Sequence, residues 1–222
     1  MKTKVIIWGS SMLSSMMHDI LQKEDIVEVV GFTDYENYIK NDIFCGLKNI
    51  PFEKINLYYD MNECEIMLTI GYSKMNFFRE KIYKECKELN YKVHTYISPN
   101  CMLYSHEIGE GTIIMPSVFV GPNVKLGVCT ILNFNVCVSH DICIGDYCFL
   151  AGGVTMGGKI SMGDNCFIGL NCTLRNGIRV SNKTLLGANI YLDKNTKEGE
   201  GYVNMASTAI KKMDSEILID FV

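Results

Sequence analysis

Residues 108–197 read IGEGTIIMPSVFVGPNVKLGVCTILNFNVCVSHDICIGDYCFLAGGVTMGGKISMGDNCFIGLNCTLRNGIRVSNKTLLGANIYLDKNTK. Every sixth residue of this stretch is aliphatic or methionine, over fifteen consecutive steps. These positions are Ile108, Ile114, Val120, Leu126, Leu132, Val138, Ile144, Leu150, Met156, Met162, Ile168, Leu174, Val180, Leu186 and Leu192. The residue after each is usually small, and a glycine there would let the backbone turn a corner without a Cβ clash.

A period of six matches neither the helical period of 3.6 nor the strand period of 2, so it indicates a repeat architecture. One repeat makes a short strand and a turn, and three repeats close a triangular coil. The aliphatic residue then points to the coil axis and stacks on its equivalent three repeats later. A single repeat cannot bury its apolar face alone, whereas stacked coils share one continuous core. The sequence therefore predicts a parallel β-helix.

Composition and charge limit the partners of the chain. It has 222 residues, a net charge of −4 and a pI of about 5.6. An acidic balance argues against nucleic-acid binding, which requires a basic face. No apolar run approaches the roughly 18 residues of a membrane span, and Met1–Ile7 leads directly into a strand pattern rather than a secretion signal. We expect a cytoplasmic protein with neither a membrane nor a nucleic-acid partner.

The cysteines and histidines do not form a metal or disulfide pattern. Among the ten cysteines, Cys148, Cys166 and Cys172 occupy the small position four residues past the aliphatic one, where cysteine acts as a small hydrophobe. No C-x-x-C pair occurs, so we expect reduced thiols. The four histidines are His18, His94, His106 and His140. Their spacing does not bring three imidazoles into one register, so no metal is expected.

Residues 1–95 predict a separate small α/β domain, because strands and helices alternate there. Strands are expected at 4–8, 27–32 and 66–70, with helices after the first strand and over 76–89. We divide the chain into this domain, a β-helix over 96–197 and a C-terminal cap or tail over 198–222.

Ligands of parallel sheets bind beyond the carboxyl ends of the strands. At those ends stand Gly9, Ser10, Ser11, Asp34 and residues 71–73. The Gly9–Ser11 backbone amides suit a phosphate of a nucleotide, although a serine there is also an ordinary helix cap. Asp34 suits a ribose hydroxyl, or simply ends a strand.

Two departures inside the repeat suggest chemistry. Asn133 replaces the small residue after Leu132, and His140 and Asp141 follow Val138-Ser139 on the outside of the predicted coil. Histidine is suited to accepting a proton at neutral pH, and an adjacent acid can orient its ring. The alternative is a surface histidine beside a solvated acid.

With these residues, the chain resembles the bacterial nucleotide-sugar N-acyltransferases of the left-handed β-helix superfamily. The two-domain type, related to bacillosamine-pathway N-acetyltransferases, acetylates a UDP- or TDP-linked amino-deoxy sugar; sialic acid O-acetyltransferases are also similar. The resemblance is strongest from Asn133 through SHDICIGD, residues 139–146, to Leu186-Gly187-Ala188. It implies a Rossmann-like N-terminal domain, a left-handed β-helix and a homotrimer with active sites between neighbouring β-helices.

The resemblance also implies roles for individual residues. His140 would be the general base and Asp141 its orienting acid. Asn133 would contact the sugar. The site residues implied for the acetyl group and pantetheine arm of acetyl-CoA, or of another acyl-CoA, are Gly158, Leu170 and Ala188. No metal is implied, because a thiolate leaves readily and an amine needs only to lose one proton.

Three features depart from the family pattern. The first loop reads Gly9-Ser10-Ser11, where relatives have a Gly-rich loop with a histidine. Residues 204–209 (NMASTA) replace the Gly-x-Pro-Ala-Lys segment of the family. Cys148 stands where close relatives can carry a second histidine. The expected function is acyl-CoA-dependent N-acylation of a nucleotide-linked amino sugar. The alternatives are O-acetylation of a sugar such as sialic acid, and a catalytically silent trimeric scaffold.

Overall fold

The computed structural model of the chain describes residues 2–204. Most of the predicted C-terminal cap, from residue 205 onward, lies outside the described residues. The N-terminal elements are β1 (Thr3–Trp8), α1 (Met12–Glu24), β2 (Val27–Asp34), β3 (Ile43–Phe44), β4 (Leu47–Pro51), β5 (Cys64–Leu68) and α2 (Phe77–Glu88), with 3₁₀ turns at Glu36–Tyr38 and Phe52–Leu57. The three predicted strands and the helix over 76–89 are confirmed to within two residues, and α1 is the helix expected after the first strand.

The N-terminal strands form one mixed sheet in the order β3-β4-β2-β1-β5, in which only β3 runs antiparallel. The β3–β4 hairpin was missed by the sequence analysis. Its two turn residues, Cys45 and Gly46, both have positive φ (46° and 79°). Two such residues make a tight hairpin turn that matches the twist of the strands, and a cysteine in the first place is not a usual signal for it.

From residue 96 onward, two-residue strands stack into three parallel sheets. Face 1 comprises β7 (Met102–Leu103), β10 (Phe119–Val120), β13 (Cys137–Val138), β16 (Thr155–Met156), β19 (Thr173–Leu174) and β22 (Tyr191–Leu192). Face 2 comprises β8 (Glu107–Ile108), β11 (Lys125–Leu126), β14 (Cys143–Ile144), β17 (Ser161–Met162) and β20 (Arg179–Val180). Face 3 comprises β6 (Tyr96–Ile97), β9 (Ile113–Ile114), β12 (Ile131–Leu132), β15 (Phe149–Leu150), β18 (Phe167–Ile168), β21 (Leu185–Leu186) and β23 (Gly201–Tyr202).

The predicted parallel β-helix is confirmed by this stacking. Fourteen of the fifteen repeat positions, from Ile114 to Leu192, are buried, and Ile108 at the start is partly buried. Cys148, Cys166 and Cys172 are buried at the small inward position, as predicted. All ten cysteines are free thiols. The third sheet continues past Lys197, because β23 pairs with β21.

The glycine after an aliphatic residue was expected to form the turn itself, and this expectation was wrong. The left-handed turn residue comes two places later, for example at Asn123 and Asp141 (φ 57° and 58°). Gly121 has ordinary φ, but a Cβ built on it would lie 2.4 Å from the Ser139 carbonyl oxygen of the next coil. Glycine is therefore required there by the close approach of the neighbouring coil, rather than by the backbone angle.

The N-terminal domain packs on face 3 through α2 and the loop before it. The centroid of the Tyr72 ring lies 5.2 Å from that of Phe149 and 4.4 Å from that of Phe167, and both of these residues are on face 3. Arg79 of α2 is fully buried, and its guanidinium donates to Asn76 and to five carbonyl oxygens. Those carbonyls, 2.8–3.1 Å away, belong to Ile70, Gly71, Cys129, Tyr147 and Cys148. Because these acceptors come from both parts of the chain, Arg79 ties the N-terminal domain to the β-helix.

Candidate functional site

The predicted base lies on one edge of the β-helix, which we call the histidine edge: the turns after face 1, residues 121–124, 139–142, 157–160 and 175–178. There the His140 Nδ1 lies 2.8 Å from the Asp141 Oδ2, and both side chains are about half exposed. The sequence left open whether Asp141 reaches the ring, and the structure shows that it does. With Asp141 ionised, Nδ1–H donates to the carboxylate and Nε2 is left as the proton acceptor.

The backbone turn explains why neighbouring residues can pair in this way. Asp141 adopts the left-handed conformation, and its N–H donates to the Pro122 carbonyl of the preceding coil at 3.1 Å. Its second carboxylate oxygen, Oδ1, accepts from the Asn123 side-chain amide at 2.9 Å. The bonds from His140 and then Asn123 hold the pKa of Asp141 below its ordinary value. The carboxylate is therefore an anion at neutral pH.

Gly158 lies directly against the His140 ring. A Cβ at Gly158 would stand 2.7 Å from both the Cε1 and Nε2 atoms of His140. Only a residue without a side chain lets the ring lie in this position. The Gly158 carbonyl accepts from Gly177, and within residues 2–204 its N–H donates no hydrogen bond. Gly158, which is buried in the single chain, thus packs against the proposed base and has a backbone N–H without an acceptor in that range.

The other predicted site residues of the β-helix lie on a different edge, the leucine edge: the turns after face 3, residues 115–118, 133–136, 151–154, 169–172 and 187–190. Asn133 accepts from the Phe134 N–H at 2.9 Å. Leu170 is 56% exposed, and its Cδ2 would be 3.7 Å from a Cβ on Gly152. Face 1 separates this edge from the histidine edge. One chain therefore brings His140, Asp141 and Gly158 together, but not Asn133, Leu170 and Ala188.

A cleft of about 500 Å³ opens at the carboxyl ends of β1, β2 and β5. All four residues predicted there, Gly9, Ser10, Ser11 and Asp34, line it. Aromatic walls come from Trp8, Tyr35, Tyr38, Phe44 and Phe78, and polar groups from Lys40, Asn41, Asn49 and Ser73. The position agrees with the rule that parallel sheets bind ligands beyond their strand ends.

The first loop contains a helix cap and also lines the cleft. Ser11 caps α1 through a reciprocal pair of bonds with Ser14, so the capping interpretation is correct for Ser11. Gly9 has a φ of 108°, and a Cβ there would meet the Ser14 hydroxyl at 2.8 Å. Ser10 makes no side-chain hydrogen bond within the described part of the chain. Its hydroxyl and the helix start remain open to a ligand in the cleft.

Asp34 ends β2 and faces the cleft. Burial raises the pKa of Asp34, against the opposing effect of backbone N–H groups of Tyr35 and Ser10. Its Oδ1 accepts from the Tyr35 N–H at 2.9 Å. A carboxylate held in this way can accept from a hydroxyl of a ligand.

Asn49 is a cleft residue that sequence reasoning missed. It is 4% exposed and donates through Nδ2 to the Asn41 carbonyl, while its buried Oδ1 has no partner within the described residues. It lies on β4, the strand that carries no clear apolar alternation. The only available signal was the polar residue inside the short sequence LKNIP.

Among residues 2–204, no three histidine, cysteine, aspartate or glutamate side chains converge on a point that could hold a metal. No helix in that range is long and apolar enough to cross a membrane.

A family model described as the hexapeptide repeat of succinyl-transferase matches residues 159–194. A search of curated proteins found no match. Among solved structures, the acetyltransferase domain of PglB from Neisseria gonorrhoeae FA1090 is similar, at 16% identity and a TM-score of 0.81, over 91% of this chain and 97% of that chain. The likeness is one of fold.

Two further structures are similar at the same level. WeeI from Acinetobacter baumannii AYE matches at 20% identity and a TM-score of 0.80, over 91% of this chain and 97% of that chain. PerB from Caulobacter crescentus matches at 18% identity and a TM-score of 0.79, over 90% of this chain and 94% of that chain. In each case both the N-terminal sheet and the β-helix fall within the matched part.

Proposed function

We propose that the protein is an acyl-CoA-dependent N-acyltransferase that transfers an acetyl group to the amine of a nucleotide-linked amino sugar. The observation that carries the proposal is the His140–Asp141 pair on the histidine edge, in which the His140 ring packs against Gly158 and Nε2 makes no hydrogen bond within residues 2–204. Acyl transfer to an amine requires a proton acceptor of this kind and an N–H donor for the developing oxyanion, the role that we assign to Gly158.

Two of the similar structures hold ligands that fit this chemistry. The PglB domain was solved in complex with acetyl coenzyme A, and PerB in complex with CoA and GDP-perosamine. We propose that this chain binds both ligand classes. An acyl-CoA would lie along the β-helix edges, and a nucleotide-linked amino sugar would place its nucleotide in the N-terminal cleft. Gly9–Ser11 would then face the phosphates and Asp34 the ribose.

In the proposed mechanism, the neutral amine of the sugar attacks the thioester carbonyl carbon. The new C–N bond forms and the C–S bond breaks, so that CoA leaves as a thiolate. The Gly158 N–H stabilises the negative charge that develops on the carbonyl oxygen. The His140 Nε2 takes the proton from the nitrogen, and Asp141 stabilises the resulting imidazolium. No covalent enzyme intermediate is needed.

The separation of the two edges supports a homotrimer. A second copy whose leucine edge faces the histidine edge of the first would add Asn133 to the sugar side, and Leu170 and Ala188 to the pantetheine side. Cyclic association repeats this contact with each neighbour and gives closed assemblies. In this proposal each active site lies between two β-helices.

The finer fold assignment belongs to the same proposal. The four parallel N-terminal strands, numbered in chain order, run 3-2-1-4, which matches four of the six strands of the doubly wound sheet that binds nucleotides. We therefore infer a Rossmann-like domain over 1–95 that binds the nucleotide sugar, and a left-handed β-helix over 96–197 that binds the acyl donor.

Ligand binding tests the proposal through thermal stability. We expect one acyl-CoA and one UDP-, TDP- or GDP-linked amino sugar to raise the unfolding midpoint, because each binds the native state alone. Free CoA, the unlinked amino sugar and the unlinked nucleotide serve as controls. If only CoA derivatives raise the unfolding midpoint, we would conclude that the acceptor is not a nucleotide sugar but another group, such as a sialic acid hydroxyl. The absence of any shift would favour the silent scaffold.

A further inference from the structure

Asn123 lies one coil before Asp141 in a column of left-handed turn residues on the histidine edge. The column continues with Lys159 and Gly177, and their φ values are 57°, 58°, 61° and 73° in chain order. Neighbouring coils of a parallel sheet lie about 4.8 Å apart. Because Asn123 and Asp141 share one backbone conformation at this spacing, their side chains run alongside each other, and the 2.9 Å bond from Nδ2 to Oδ1 follows.

We infer that Asn123 is a positioning residue for the transfer reaction, which holds the Asp141 carboxylate in the orientation that fixes the His140 ring. The inference rests on the proposed function. Asn123 does not touch the reacting atoms and acts only through Asp141.

The carboxylate needs a second anchor because it is exposed. The Asp141 backbone is held by its bond to Pro122, but that bond leaves the side chain free to rotate in water. A bond to His140 on Oδ2 alone defines one contact, whereas a second bond to Asn123 on Oδ1 defines the plane of the carboxylate. The plane of Asp141 in turn sets the direction in which the His140 Nε2 points.

The chemistry of the anchor matters as well as its position. The charged groups that face Asp141 are the His140 ring and, on the following coil, Lys159. Asn123 is a neutral donor on the preceding coil, so it holds the carboxylate without neutralising it. The negative charge of Asp141 stays available to the imidazolium that forms on His140 during the reaction.

The decisive experiment is a double-mutant cycle with a matched control. We expect Asn123→Ala to lower kcat about tenfold, with KM for both substrates within about twofold of wild type. In an Asp141→Asn background the same substitution should have no further effect on kcat, because its route of action is gone. A tenfold loss that persists in that background, or an unchanged kcat in the single variant, would overturn the inference.

Asn182→Ala is the control for a purely structural role. Asn182 also makes a bond between coils, since its Oδ1 accepts from the Asp164 N–H at 2.9 Å. It lies on the third edge, the turns after face 2 (residues 127–130, 145–148, 163–166 and 181–184), which carries no proposed site residue. We expect this variant to keep the wild-type kcat. An equal loss in Asn182→Ala would show that Asn123 only stabilises the stack.

A titration of the Asp141 carboxyl by nuclear magnetic resonance separates this inference from the proposed function, because it needs no substrate. Loss of the Asn123 donor should raise the pKa of Asp141 toward its ordinary value. An unchanged titration in Asn123→Ala would reject the positioning role. Absence of acyl transfer by the wild-type protein, with the expected rise in pKa, would instead reject the proposed function.

Discussion

We expect His140→Ala to lower the turnover of acyl transfer by about 10²–10⁴-fold, the usual contribution of a general base. The ring is half exposed, and its Nδ1 bonds only to Asp141, so its loss removes the proton acceptor without opening the core. The unfolding midpoint should therefore remain close to that of the wild type. Steady-state release of the CoA thiol, measured beside thermal unfolding, checks both statements.

His106→Ala is the matched control for that variant. His106 is exposed and lies in the turn after β7, two coils before His140, so the change removes an imidazole without removing a residue of the proposed site. We expect wild-type turnover from it. A His140→Ala protein that turns over at the wild-type rate would remove His140 from the mechanism, and the Asn123 inference with it.

Arg79→Met should produce a large loss of stability. Methionine keeps much of the side-chain volume but donates no hydrogen bond. The change therefore leaves the Cys129 and Tyr147 carbonyls and the Asn76 amide oxygen without the Arg79 donor. Burial lowers the Arg79 pKa to about 10, so the group is charged at neutral pH. Each unsatisfied buried acceptor is costly, and we expect a decrease of about 3–5 kcal/mol in the free energy of unfolding.

Urea unfolding measures that decrease, and Lys84→Met on the same helix provides its control. Lys84 is exposed and pairs with Glu80 four residues earlier. An exposed pair of this kind contributes about 0–1 kcal/mol, so the control should unfold almost as the wild type does. A decrease of less than about 1 kcal/mol for Arg79→Met would mean that Arg79 does not tie the two parts together.

The β-helix could be predicted from sequence because its signal is redundant. Each of the fifteen repeats has an aliphatic residue or methionine at the same position, so Ile114 and Leu186 can be assigned to the core without tertiary information. The hairpin at β3 and β4 could not be predicted, since it depends on a turn at Cys45-Gly46 and on pairing with β2, which is distant in sequence. Nor could the sequence indicate that on α2 the apolar Phe77 is 52% exposed while the charged Arg79 is buried.

The same distinction between local and long-range signals applies to the candidate site. His140 and Asp141 were visible because they interrupt a regular pattern, and their adjacency in sequence placed them at one turn. Asn123 carried no signal of its own, because asparagine is common in left-handed turns and its partner lies one coil away. Asn49 was hidden for the same reason, since only the fold brings it to the cleft.

The central claim is that the protein forms an amide between an acyl group from CoA and the amine of a nucleotide-linked sugar. Mass spectrometry of the acceptor, after incubation with acetyl-CoA and with the amino sugar that stabilises the protein, tests it most directly. We predict a singly acetylated product that resists mild hydroxylamine, with the amount falling sharply in His140→Ala. A product that hydroxylamine cleaves would identify an ester and hence an O-acyltransferase, and an unmodified acceptor with intact acetyl-CoA would contradict the claim.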